Sequence, residues 1–432
     1  MNVDDRRAAV LAGRHGKEGV NRVCPCCIGD VVNSDRIVAV DDTAIDGRER
    51  TPSLVGERPF VGAVLATAGS KGERQEERCH HGVSAPYSHS VKGSQEPSRN
   101  RVGDYAARVN AAGTVGQSFE QRIRVLEEQS LSPLAVRSFD TRGRVKPEAT
   151  CALRTPFQRD RDRLVHSKSF RRLKGKTQVF IDPKGDHYRT RMTHTLETTA
   201  ISRVVARALR LNEDLVEAIG LGHDTGHTPF GHAGEQALDA ALNAAFGRHF
   251  RHNEQSWRIA CRLNLTHEVC SGILTHTGEQ EPETLEGKIV RVVDRVAYIN
   301  HDIDDAIRYG ILSESDLPRA EIELLGRSGS ERIDRLVHDL VGASEEAGQI
   351  QQSAGIGEAM LSLRAFMFDR VYLGPQVGPE HRRAKDVVQT IFSLLAADPE
   401  LLPAGDGDLA DRITDYVSGM TDRFALAYVR DH

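Results

Sequence analysis

Residues 213–222 restrict the possible folds more than any other stretch of the chain. Leu215, Val216, Ala218, Ile219 and Leu221 cover most of the circumference of a short helix, so other elements must enclose it. Yet this helix runs straight into His223-Asp224 and the turn Thr225-Gly226-His227. Two polar groups delivered to an interior need partners there, and a divalent cation would satisfy both. The flanking segments also read as helices. Residues 196–210 place Ile201, Val204, Val205, Ala208 and Leu209 on one stripe at the i, i+3, i+4 spacing. Residues 286–309 place Ile289, Val292, Val293, Val296, Ile299 and Ile303 on a buried face. Residues 314–330 gain Ser, Gly and Glu and read as a surface connection. The helical pattern returns at 331 and persists to about 428, broken by the Gly/Pro cluster at 374–379. Strand signals are few, and the fold class is all-α.

The composition changes near residue 115. Residues 1–115 are rich in Gly, Ser, Arg, Asp and Val and keep no helical or strand period, so this segment is expected to be disordered. The low hydrophobic fraction of 39% and aromatic fraction of 5% agree with a chain that is only partly packed. Cys24-Pro25-Cys26-Cys27 and the distant Cys79-His80-His81 lack the two well-spaced ligand pairs of a zinc site. An overextended gene start is a further explanation, because a helix-rich domain, taken as 116–432, opens abruptly at Ser118-Phe119-Glu120. Native peptides from residues 1–110 would rule that explanation out. Seven cysteines is an odd count, and the later three, Cys151, Cys261 and Cys270, have no paired spacing, which fits a reducing cytoplasm. No run approaches about eighteen consecutive apolar residues, so no membrane span is expected. The N-terminus lacks the apolar core of a secretory signal. A net charge of −5 argues against a generic nucleic-acid coat.

The chemistry gathers around His223-Asp224. His194 begins the helix before it and Asp294 lies on a later one, and facing helices can bring such side chains together in a bundle core. Asp294, Tyr298 and Asp302 recur at i, i+4 and i+8 between Val293, Val296, Ala297 and Ile299, a polar stripe on an apolar helix. His227, His232 and His252 add further titratable groups. Imidazole with carboxylate suits Mn, Fe, Co, Ni or Zn, and Mg less well.

The ordered set His…His-Asp…Asp resembles the signature of HD-domain phosphohydrolases. Its surroundings resemble the bacterial dGTPase-like deoxynucleoside triphosphate triphosphohydrolases over about 120–430. The resemblance is carried by His166–Phe180, Arg189–His194, His223–Glu235, Arg251–Ser256 and Asp294–Asp305, five motifs in the family's order. It implies an HD-domain helical bundle with additional C-terminal helices, and the reaction dNTP + H2O → deoxynucleoside + triphosphate. It also implies a divalent metal (Mn, Mg, Fe, Co or Ni) on His194, His223, Asp224 and Asp294. His232, supported by Glu235, matches the family's catalytic histidine, and His227 and His252 resemble groups facing the α-phosphate. Arg191 and Arg295 look suited to clamping phosphate oxygens. Tyr298 and Asp302 would lie toward the sugar, with Asp302 accepting from the 3′-OH. A homo-oligomer is expected from the family.

Residues 154–176 hold nine Lys/Arg against two acids, Asp160 and Asp162. A solvated helix face explains such a run without function. The resemblance points instead to phosphate contacts, with substrate, an activating dNTP or single-stranded DNA. Two other readings compete with the triphosphohydrolase: another HD phosphohydrolase, such as a nucleoside monophosphatase or phosphodiesterase, and a nucleotide- or DNA-binding regulator without turnover.

Overall fold

The computed structural model describes residues 118–181, 188–374 and 377–432. The expectations for residues 1–115, including disorder, the cysteine cluster and the domain boundary, lie outside the described residues. Among the described residues there are fifteen α-helices and no strand beyond two isolated bridges. No described helix is long and apolar enough to cross a membrane.

The first helix, α1 (Phe119–Ser130), starts where the sequence turns helical. The Ser118 hydroxyl accepts from Gln121 N, and the Gln121 side chain accepts from Ser118 N, which satisfies two otherwise orphaned donors. Next come α2 (Pro156–His166), α3 (Lys168–Arg172), α4 (Arg191–Ala208), α5 (Glu213–Gly222) and α6 (Gly231–Phe246). After them run α7 (His252–Arg262), α8 (His267–Thr275) and the long α9 (Leu285–Tyr309). The remaining helices are α10 (Arg319–Leu325), α11 (Gly329–Ala347), α12 (Ala354–Met367), α13 (Gly378–Ala397), α14 (Leu409–Ser418) and α15 (Asp422–Asp431).

Three apolar clusters hold these helices together. One buries Phe157, Leu164, Leu215, Ile219, Ile273 and Ile289 around α5, which is enclosed as its composition demands. The second joins α6 to the C-terminal helices through Leu238, Leu242, Val388, Ile391, Ile413 and Ala425. The third packs the latter half of α9 against α10–α12 through Val296, Ile303, Leu325, Leu336, Leu363 and Met367. Glycines let α5 sit close to its neighbours. A Cβ on Gly220 would lie 2.7 Å from Thr199 Oγ1 of α4, and one on Gly222 would lie 2.4 Å from Ile273 Cδ1 of α8.

Three expectations need correction. The buried face of α4 is His194, Thr195, Thr198, Thr199, Ser202, Val205 and Ala206, whereas Val204 and Ala208 are exposed. Hydroxyls can line this face because they bond locally, as Thr199 does to the Thr195 carbonyl at 2.7 Å. On α9, Val292 is only partly buried. Residues 314–330 are not a plain surface connection, because Leu317 and Leu325 anchor a 3-10 turn and α10 to the core. The basic run is largely consumed by structure. Arg154 and Arg161 pair with Asp162, and Arg159 and Arg163 pair with Glu148. Lys176 is wholly buried.

Candidate active site

The end of α5 delivers His223 and Asp224 to the interior. The His223 Nδ1–H donates to the Gly220 carbonyl one turn back at 2.7 Å, which leaves a lone pair on Nε2. That Nε2 is buried and has no hydrogen-bond partner. It lies 3.5 Å from Asp224 Oδ1 and 3.6 Å from Asp294 Oδ1. From α4, His194 Nε2 stands 3.0 Å from Asp294 Oδ1 and 4.0 Å from Asp224 Oδ2. Ligands held about 2.1 Å from one ion are separated by about 3–3.5 Å. Two imidazoles, two carboxylates and an unpartnered buried lone pair therefore fit a divalent cation.

The carboxylates are held ionised. Burial opposes the charge of Asp224, but His223 and the Arg191 guanidinium outweigh it and hold the group well below the usual range. Arg191 donates to Asp224 Oδ2 at 2.9 Å, and its own Nε is left without a partner. Burial likewise opposes Asp294, yet its bond to His194 and the nearby His223 bring it down to about 2.

Above this cluster is a cavity of about 480 Å³, lined from α4, α6, α7, α9, α12 and α13. His194, Asp224 and Asp294 contribute to its lining, and His223 lies behind them. One wall carries Arg191, His227, His232, His252 and His276. His227 and His252 stack, with ring centres 3.9 Å apart and planes 14° off parallel. Glu235 sits behind this wall. Its Oε1 accepts from both His252 N and His252 Nδ1 at 2.9 Å, and its Oε2 is 3.4 Å from His232 Nδ1. Glu235 thus serves two histidines, of which the sequence suggested only His232. The His232 side chain is 65% exposed, so it reaches into the open part of the cavity.

Tyr298, Asp302, Arg364 and Tyr372 also line the cavity. Tyr298 and Asp302 stand with Asp294 on one stripe of α9, as their spacing suggested. The Arg364 Nε–H donates to the Tyr298 hydroxyl at 2.6 Å, and its guanidinium lies 4.6 Å over the Phe368 ring. Tyr372 donates to Asp302 Oδ2, while Asp302 Oδ1 is buried without a partner. Burial pushes the Asp302 carboxyl up to about 7, against the Tyr372 bond. The segment Phe368–Tyr372 winds as a π-turn after α12, a distortion often found at functional sites.

Arg295 is not among the lining side chains. It lies about 100° around α9 from Asp294. Positive charge enters instead from Arg364, Arg382 and Lys385 on the later helices. The sequence also gave no notice of His276. It ends α8 as His223 ends α5, with Nδ1 donating to the Ile273 carbonyl three residues back at 2.8 Å. An apolar helix terminated by His was the available signal, and it occurs twice.

Residues 191–299 match the family model of the HD domain, and residues 350–431 match that of the phosphohydrolase-associated domain. A deoxyguanosinetriphosphate triphosphohydrolase-like protein of Caldanaerobacter subterraneus subsp. tengcongensis is 49% identical over 314 residues, covering 70% of this chain and 91% of the relative. A protein of the same description from Desulfatibacillum aliphaticivorans is 43% identical over 345 residues, covering 72% and 96%. One from Clostridium perfringens is 44% identical over 326 residues, covering 70% and 94%.

Proposed function

The chain belongs to the deoxyguanosinetriphosphate triphosphohydrolase-like family of HD-domain phosphohydrolases, and on that premise we propose that it hydrolyses deoxynucleoside triphosphates to deoxynucleoside and inorganic triphosphate. The observation that carries this reading is the make-up of the cavity. A cluster suited to a divalent metal, the cations Arg191, Arg364, Arg382 and Lys385, and the pair Tyr298 and Asp302 all line it.

His194, His223, Asp224 and Asp294 would hold the metal. When bound, it would act as a Lewis acid on a phosphoryl oxygen and help to activate water. The remaining work falls to the chain's own side chains. Release of the whole triphosphate requires attack at the α-phosphorus with the 5′-oxygen leaving, so charge grows on the phosphoryl and 5′-oxygens. Arg191, held by Asp224 on one nitrogen, lines the cavity and brings a positive charge to those oxygens. Arg382 and Lys385 supply cations for the outer phosphates. His232 is the group placed to give a proton to the departing 5′-oxygen, and Glu235 orients it. The free Oδ1 of Asp302 accepts from the 3′-hydroxyl, and Tyr298 beside it crowds the place of a 2′-hydroxyl.

The test is product analysis with each dNTP in the presence of Mn2+ or Mg2+. Deoxynucleoside plus triphosphate is expected. Release of phosphate or pyrophosphate would overturn the reading, and binding without turnover would mark a regulator.

A further inference from the structure

We infer that His276 is a positioning residue that fixes both ring protons of His252, so that His252 stands in the cavity wall as an imidazolium. The Ile273 carbonyl can only accept, so the hydrogen bond to it at 2.8 Å places a proton on His276 Nδ1. His252 hydrogen-bonds the Glu235 carboxylate, whereas His276 bonds only a carbonyl and His252, so the proton between the two rings belongs to His252 and His276 Nε2 keeps a lone pair. That Nε2 is 3.3 Å from His252 Nε2 and must accept from it. On the other side of the ring, Glu235 accepts at 2.9 Å from His252 Nδ1. The same Oε1 also accepts from His252 N at 2.9 Å, so it serves as an acceptor twice and Nδ1 must donate. Both nitrogens of His252 therefore carry protons.

The surroundings agree with a cation at this place. Glu235 and His232 face His252 from α6, Asp224 and His227 from the loop after α5, Arg191 from α4, and His276 from the end of α8. Burial opposes the charge of His252, and Glu235 overcomes it. His227 stacks on the ring, and its Nδ1 is buried without a hydrogen-bond partner. Asp224, His227 and His252 also offer ligand atoms within 4.8 Å of one another. A second cation there would need a bare nitrogen on His252, which the Glu235 and His276 bonds deny. The hydrogen-bond relay stands on the geometry alone. Its use, as a fixed positive charge beside the α-phosphate, rests on the triphosphohydrolase reading.

The decisive measurement is the protonation of His252 in the full chain loaded with Mg2+ and labelled with 15N-histidine. Long-range 1H–15N spectra report each ring nitrogen, and the signal lost in His252→Gln identifies the residue. Both nitrogens are expected to be protonated near pH 7. His276→Phe should strip one proton, and His276→Gln, whose amide oxygen can still accept, should restore it. A bare nitrogen on His252 in the parent, or no change in His276→Phe, overturns the inference. In turnover, the basic limb of the kcat/KM profile should move down by about one pH unit in His276→Phe and return in His276→Gln. A uniform loss of rate with an unmoved limb would show that His276 only packs. If the parent releases no triphosphate, the functional reading falls, while the spectra still decide the state of His252.

Discussion

The proton on His223 Nδ1 decides what the cluster at the cavity floor can do. Because the Gly220 carbonyl accepts a hydrogen bond from that N–H, Nε2 is left to face two carboxylates with its lone pair. Charge is the property that Asp224 adds, so Asp224→Asn, which keeps its shape, should lose bound metal and reduce turnover by more than about 10²-fold. Retained stoichiometric metal by elemental analysis would contradict the ligand assignment. His232→Ala should separate the two functions, keeping metal while turnover falls by about 10²–10⁴-fold. Asp302 makes a prediction about pH. The folded chain keeps a proton on it up to about 7, whereas the unfolded chain releases it near 3.8. Its folded value is raised, so its contribution to stability is present below about pH 4, declines as pH rises through this window and stays lost above it. Asp302→Asn cannot ionise and should raise the thermal midpoint of metal-free protein at pH 8, by an effect of at most about 4 kcal/mol, but hardly at pH 4. Equal gains at both pH values would show that the carboxyl is not buried in its charged form. The polar stripe on α9 and the His223-Asp224 pair stood out in the sequence because acids and histidines on apolar helices are conspicuous, whereas Glu235 came only with the family resemblance. His276 was not, because a single histidine closing a helix is matched by many that only cap.

At the scale of elements, the turn after α5 carries the tightest constraint. A Cβ on Gly226 would meet Ser256 N at 2.2 Å, Gln255 C at 2.6 Å and His252 O at 2.7 Å, all backbone atoms of α7 that cannot rotate away. Gly226 N also donates to Ser256 Oγ at 2.8 Å. Gly226→Ala should therefore cost about 1–3 kcal/mol and push α7 outward, carrying His252 from its stack on His227. Activity should fall further than stability alone explains, with metal content preserved. An unfolding midpoint equal to the parent's would mean that α7 is free to shift. The apolar pattern located α5 and α9 because their buried faces are aliphatic. It rotated α4 wrongly, because a face of His, Thr and Ser scores as exposed in any hydrophobic count. Such a face is buried only where local bonds and a facing glycine allow it, and those partners lie on another helix.

Across the whole molecule, the site depends on a tie that no local pattern announced. Asp422, at the first position of α15, takes Thr177 N at 2.9 Å and the Thr177 hydroxyl on one oxygen, and Phe230 N at 2.8 Å on the other. Phe230 has φ +61 and stands directly before α6, the helix bearing His232 and Glu235. Beside it, the Lys176 ammonium donates to the carbonyls of His227 and Ser418, joining the turn after α5 to the end of α14. The C-terminal helices thus reach the histidine wall of the cavity through two buried polar links, while the side chains proposed to hold the metal come from α4, α9 and the end of α5. Asp422→Asn replaces one acceptor with an N–H donor that opposes either Phe230 N or Thr177 N. It should destabilise the fold by about 1–3 kcal/mol. Because α6 loses its anchor and the cavity floor does not, kcat should drop with metal content unchanged, and the basic limb governed by His252 should shift through Glu235. Parallel loss of metal and rate would show instead that the C-terminal helices hold the floor of the cavity as well as its wall.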